Sequence, residues 1–152
     1  MIGIGNPDRG DDAAGWEVAG RVTSWSIERR TAGSFDLVNT WKDDDDVVIV
    51  DAMRSGEPPG TITWFDARQE RVPSCVFSST HSFGPMAIAE LARSLDRMPR
   101  TLFVVGIEIE HTHHGAPMSP PVVLAVSRLA TELQHARGKI GTGSRLSDRP
   151  GG

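Results

Sequence analysis

Residues 43–53 read DDDDVVIVDAM: four aspartates run without a break into Val47, Val48, Ile49 and Val50, and Asp51 follows at once. Four consecutive β-branched or aliphatic residues leave no alternation of polar and apolar faces. Such a strand must be buried on both sides, as in a parallel sheet covered by helices above and below. Working outward, TLFVVGIEI at 101–109 repeats the pattern, and TITWFDA at 61–67 is a third strand, entered through the turn SGEPPG. Met1 to Gly5 reads as the end of another strand running into a turn.

The stretches between carry helical periodicity. AAGWEVAGRVTSW, 13–25, places Val18, Val22 and Trp25 on one face, and SFDLVNTW, 34–41, is long enough for a brief helix. From Ser82 onward Ile88, Leu91, Ala92 and Leu95 share a face, with Pro99 helping to end the helix. Val122, Val126, Leu129 and Leu133 then fall at steps of four, three and four. Strands alternating with helices predict an α/β fold: a three-layer sandwich with a twisted, mainly parallel sheet flanked by helices, and sites at the carboxyl ends of the strands.

At 152 residues the chain suits one core rather than two, so a single domain over 1–137 is expected, followed by a disordered tail, 138–152, that is nearly devoid of apolar residues. Sixteen Lys and Arg against 20 Asp and Glu give a net charge of −4, which argues against nucleic acid as the main partner. Cys75 is the only cysteine, so no internal disulfide forms. The start lacks the pattern of a signal peptide, and the run VVIV falls far short of the ~20 apolar residues that cross a bilayer. The expectation is a cytoplasmic protein without a membrane span.

Chemistry has three places to sit. GIGNPDRGDDAAG, 3–15, resembles a phosphate cradle, but Gly3, Gly5 and Gly10 miss the dinucleotide spacing, and Asp11 and Asp12 at the helix start would repel a phosphate. One aspartate suffices to cap a helix; the second is available as a metal ligand. Asp51, after a buried strand, is either a turn residue or a ligand at the same sheet edge, and His81, before a helix, is either a cap, a surface residue or a ligand. Together, two carboxylates and one imidazole would make an open site for a divalent metal such as nickel or zinc. The third place is EHTHHG, where His111, His113 and His114 stand beside Glu108 and Glu110; it reads as a metal tract or, in preference, a polar loop with no regular element to fix its side chains. Asp43 to Asp46 read as a solvated loop. No G-x-S-x-G elbow is present, and Cys75 has no helix start to activate it, so nucleophilic hydrolase schemes lack support.

In order and spacing, GIGNPDRGDDAAG, VVIVDAM, His81 in STHSFG, and VGIEIE followed by GAPMSP resemble the nickel-iron hydrogenase maturation endopeptidases, over most of the chain up to about Ala136. The resemblance implies a cytoplasmic, monomeric protease that trims the C-terminal extension from a hydrogenase large-subunit precursor once nickel is in place, with nickel recognised in the substrate. It implies Asp12, Asp51 and His81 as the residues that bind metal and carry catalysis, with Gly3, Gly5, Asn6 and Asp11 in support, Asp11 by capping the helix or steadying Asp12. The alternative is a non-catalytic, nickel-binding or chaperone-like relative that docks on the large subunit. Two departures stand out. Only Met1 and Ile2 precede Gly3, so the first strand is truncated, and SIERRTAG, 26–33, is short enough for an edge strand there to be missing or stunted.

Overall fold

The structure, a computed structural model, describes residues 1–71, Phe77 and residues 84–136. Its strands are β1 (Ile2–Ile4), β2 (Glu28–Arg30), β3 (Asp46–Met53), β4 (Ile62–Asp66) and β5 (Thr101–Glu108), and its helices are α1 (Ala14–Arg21), α2 (Pro85–Ser94) and α3 (Pro120–Ala136). Short 3-10 turns at Gly10–Ala13 and Phe35–Asn39 complete it. The sheet order is β2-β1-β3-β5-β4. All neighbours are parallel except β4, which pairs antiparallel with β5 at the edge.

The apolar run behaves as its pattern predicts. Val47 and Ile49 face a layer built from α2 and the Phe35–Asn39 turn, while Val48 and Val50 face α1 and α3. Helices on both sides of the sheet make the three-layer sandwich. β3 pairs with β5 along its full length, Asp46 opposite Thr101 through Met53 opposite Glu108. Against β1 it pairs only at Ile49 and Val50, because β1 is three residues long. The three-residue β1 therefore lies inside the sheet, and the edge strand read as missing or stunted exists as the equally short β2.

Local differences from the sequence reading have identifiable causes. The helix patterned over 13–25 stops at Arg21, and Trp25 reaches the same core from the following loop, its indole donating to the Leu133 carbonyl at 2.8 Å. The brief helix at 34–41 is the 3-10 turn Phe35–Asn39. α2 ends at Ser94, five residues before Pro99: Asp96 adopts φ 54°, the left-handed conformation that terminates helices, and Leu95 is left 52% exposed. Of the four aspartates, Asp46 belongs to β3, where its carboxylate takes a fork of bonds from Arg100 and one from the Thr101 hydroxyl. Residues 138–152 lie outside the described residues. Among the described residues no helix is long and apolar enough to cross a membrane.

Candidate functional site

The chain leaves β1 through α1 on one face to reach β2, then returns to β3 past the Phe35–Asn39 turn on the other face. The crevice between β1 and β3 is thus the point where the winding reverses, and it opens at the carboxyl ends of the strands, where α/β folds bind ligands. The opening motif and Asp51 both lie there.

Asp51 sits inside β3 rather than after it, opposite Gly106 of β5, and is 2% exposed. Its side chain points to the same face as Ile49 and Met53. Oδ1 accepts the Ala52 N–H at 2.8 Å, and Oδ2 is buried with no hydrogen-bond partner. Burial, reinforced by the nearby charge of Asp12 and opposed by the Ala52 N–H, raises its pKa well above the ordinary carboxylate value. Asp12 occupies the third position of the Gly10–Ala13 turn and is partly exposed. The structure therefore brings Asp12 and Asp51 together. His81 lies outside the described residues.

The supporting residues act differently from their sequence reading. Gly3 and Gly5 serve close approach, since a Cβ on Gly3 would lie 2.3 Å from the Gly15 carbonyl oxygen and one on Gly5 2.3 Å from that of Asp12. Asn6 turns the loop, its side-chain oxygen accepting the Asp8 N–H at 2.9 Å. Asp11 does not cap α1, whose N-terminus has no side-chain cap. Fully buried, its carboxylate accepts the N–H groups of Glu110 (2.9 Å), His111 (3.2 Å) and Ser119 (2.6 Å) and the Ser119 hydroxyl (2.8 Å). Burial alone would raise its pKa, but these donors outweigh it and the pKa is lowered.

Asp11 thereby fixes the histidine loop. The loop has no regular structure, as expected, yet it is tied to the opening turn at both ends, with Gly115 N–H donating to the Asp8 carbonyl at 2.8 Å and Asp11 N–H to that of His111 at 3.2 Å. A second buried acid, Glu108, does the same for the turn after β3, accepting from the N–H groups of Ser55 and Gly56 and from the Ser55 hydroxyl at 2.8–3.1 Å. Sequence reasoning gave no role to Ser55 or Ser119 and read Glu108 only as a neighbour of the histidine tract. The available signal for Glu108 was the one used for Asp51: a carboxylate closing an apolar strand. Among the described residues, three buried acids thus gather at one sheet edge, of which two have both oxygens filled by donors and only Asp51 presents an empty one. Among the described residues no group of three or more His, Cys, Asp and Glu side chains is gathered closely enough to hold a metal by itself.

Comparison with known proteins agrees with the resemblance read from the sequence. Residues 31–136 match the sequence profile of the family described as HycI, hydrogenase maturation protease. No curated protein gives a match. Among solved structures the chain is similar to an endopeptidase HycI from Escherichia coli (23% identity, TM-score 0.71, covering 95% of this chain and 94% of that one). It is also similar to the hydrogenase maturating endopeptidase HybD from E. coli (22%, TM-score 0.69, 92% and 91%). A third is the nickel-iron hydrogenase maturation protease HycI from Thermococcus kodakarensis KOD1 (23%, TM-score 0.67, 93% and 90%). At these identities the structures speak for the fold, and the match over more than half of the chain speaks for the family: this chain belongs to the hydrogenase maturation proteases.

Proposed function

We propose that the chain is a metal-dependent, cytoplasmic endopeptidase, active as a monomer, that removes the C-terminal extension of a nickel-loaded hydrogenase large-subunit precursor. Asp12, Asp51 and His81 are the residues that meet the metal. The observation that carries the reading is the Oδ2 of Asp51, a buried carboxylate oxygen without a donor, beside a second carboxylate at the switch point of the sheet. Leaving such an oxygen unpaired costs about 1–3 kcal/mol or more, which a divalent cation offsets and an N–H would have offset more simply. The residues present fit such a cation in kind: two hard oxygen donors, from the Gly10–Ala13 turn and from β3.

A divalent metal in this place supplies Lewis-acid polarisation of the scissile carbonyl or acidification of a water. The protein's part is positional. Ala52 N–H holds Oδ1 of Asp51, so Oδ2 is presented in a fixed direction, and the Asp11 clamp keeps the turn bearing Asp12 from drifting. Nickel belongs to the substrate in this reading, so a weak, open site on the protease suits recognition of a metal already bound by the partner.

The test is incubation with nickel-loaded and nickel-free precursor, following the mass of the large subunit. Loss of the extension only from the loaded form, abolished by Asp12→Ala, Asp51→Ala or His81→Ala in folded protein, is the expected result. Stable complex formation with no loss of the extension would overturn it in favour of a docking role.

A further inference from the structure

The imidazole of His111 is held more firmly than a polar loop requires. Its backbone bonds to Asp11 in both directions, N–H to the carboxylate and carbonyl from the Asp11 N–H, each at 3.2 Å. Its ring lies on Gly10, where a Cβ would stand 2.8 Å from both Cε1 and Nδ1. On another side it stacks against His113, with centroids 5.1 Å apart and planes at 17°. Gly10, at φ 55°, begins the turn whose third residue is Asp12, so the ring packs on the first residue of the turn that carries Asp12.

Nδ1, turned toward Gly10, is buried without a hydrogen-bond partner. A bare lone pair is tolerated in such a place more readily than an unpaired N–H, which puts the ring proton of the neutral imidazole on Nε2. Nε2 makes no hydrogen bond among the described residues and is not one of the atoms shut away from solvent. The near-parallel stack keeps the nitrogen lone pairs of the two rings from converging on one point, which makes the pair a poor chelate.

We propose that His111 binds the polypeptide substrate, its Nε2–H donating to a backbone carbonyl of the chain threaded past Asp12 and Asp51. The assignment rests on the endopeptidase reading above. Because the ring is already fixed by Asp11, Gly10 and His113, the donor requires little ordering when the substrate arrives. A donor to a carbonyl away from the cleaved bond contributes equally before and during the reaction, so its loss raises KM and leaves kcat alone.

The test compares wild type with His111→Gln, His111→Asn and His111→Phe in steady-state cleavage of the nickel-loaded precursor. Glutamine places an N–H near the position of Nε2, asparagine places its amide near Nδ1, and phenylalanine keeps only the stack. The expected result is a KM within about twofold of wild type for His111→Gln and roughly three- to tenfold higher for the other two, with kcat within twofold throughout. An unchanged KM in His111→Phe overturns the proposal. So does a His111→Gln variant as impaired as His111→Phe, which would make the flat ring rather than its proton the useful part. Should phenylalanine not fold, the contrast of glutamine with asparagine decides alone. Wild-type protein that cleaves no precursor overturns the endopeptidase reading and this assignment with it, whereas normal cleavage with insensitive variants overturns only the assignment.

Discussion

Asp51→Asn should make the protein more stable and less active at once. In the wild type without metal, Oδ1 of Asp51 is bonded to the Ala52 N–H and Oδ2 is buried with nothing to accept from. Asparagine keeps an oxygen for Ala52 and replaces the orphaned oxygen with an amide NH2 that faces the neighbouring negative charge of Asp12. Relief of one unsatisfied buried oxygen is worth about 1–3 kcal/mol, of which the amide's own need for acceptors takes back part, leaving ~1–2 kcal/mol. For a domain of this size that corresponds to a rise in Tm of roughly 2–8 °C. The pH dependence follows from the raised pKa. Ionisation in the folded state is resisted, so the wild type has its full stability below the unfolded value of 3.8 and loses it as pH climbs toward the higher folded value. The variant has nothing to ionise there, so the two proteins converge below 3.8 and separate above it. Thermal melts followed by circular dichroism in chelator, from pH 3.5 to 8, measure this directly. On the proposed metal-dependent reading, cleavage should meanwhile fall by roughly a hundredfold or more, the several kcal/mol of charge lost where the cation would bind. A variant that melts below the wild type at pH 7 would mean that Oδ2 finds a partner in solution, and the case for a cation at that oxygen would fall.

Asp11→Asn replaces one of two filled oxygens with a donor facing other donors and should lower stability by about 2–4 kcal/mol at pH 7, seen as a fall in the urea midpoint. Because the folded pKa of Asp11 is lowered, its contribution is present above 3.8 and disappears as pH falls below that value, so the gap between variant and wild type should close in acid. Gly10→Ala combines a left-handed backbone with a Cβ 2.8 Å from the His111 ring, and should lower Tm by several degrees at a cost of about 1–2 kcal/mol from the backbone alone. Acetylation of the Met1 amine tests the short central strand: burial, only partly opposed by Asp45 and Glu28, lowers that amine from 8.0 to about 6. A depressed ammonium pKa gives stability that is full above 8.0 and lost as pH falls toward 6, so the acetylated protein, which keeps an N–H for the Ser26 carbonyl, should show a flat denaturation midpoint across that window while the free amine declines.

The parts of this fold legible in the sequence are those where one local pattern decides the outcome. Val47 to Val50 demanded cover on both faces, and the structure covers both. Val122, Val126, Leu129 and Leu133 named their own helix and are all buried at its seam. What local pattern does not carry is the partner of a polar group. Asp11 and Asp12 are chemically identical neighbours at a helix start, and a capping rule cannot tell which one faces inward. The answer lies about a hundred residues away, in the N–H groups of Glu110, His111 and Ser119. The same holds for β4: its composition reads as a strand, but its antiparallel place beyond β5 is set by β5 slotting between it and β3 after α2.

That distant pairing also separates the acids whose oxygens are filled from the one at this sheet edge that keeps an unpaired oxygen. A carboxylate buried for stability has every reason to fill both oxygens, and Asp11 and Glu108 do so with backbone and hydroxyl donors that at the same time stitch two loops to the ends of β1 and β3. Asp51 is buried as deeply and has donors within a few residues of chain, yet it takes only its neighbour's N–H. The two clamps make that arrangement possible, because they hold the loops in place without drawing a donor from them toward Oδ2. A mutation that loosened a clamp would let the loop supply the missing bond. The protein would then gain a hydrogen bond at Asp51 and lose the unpaired carboxylate oxygen on which the proposed metal contact depends.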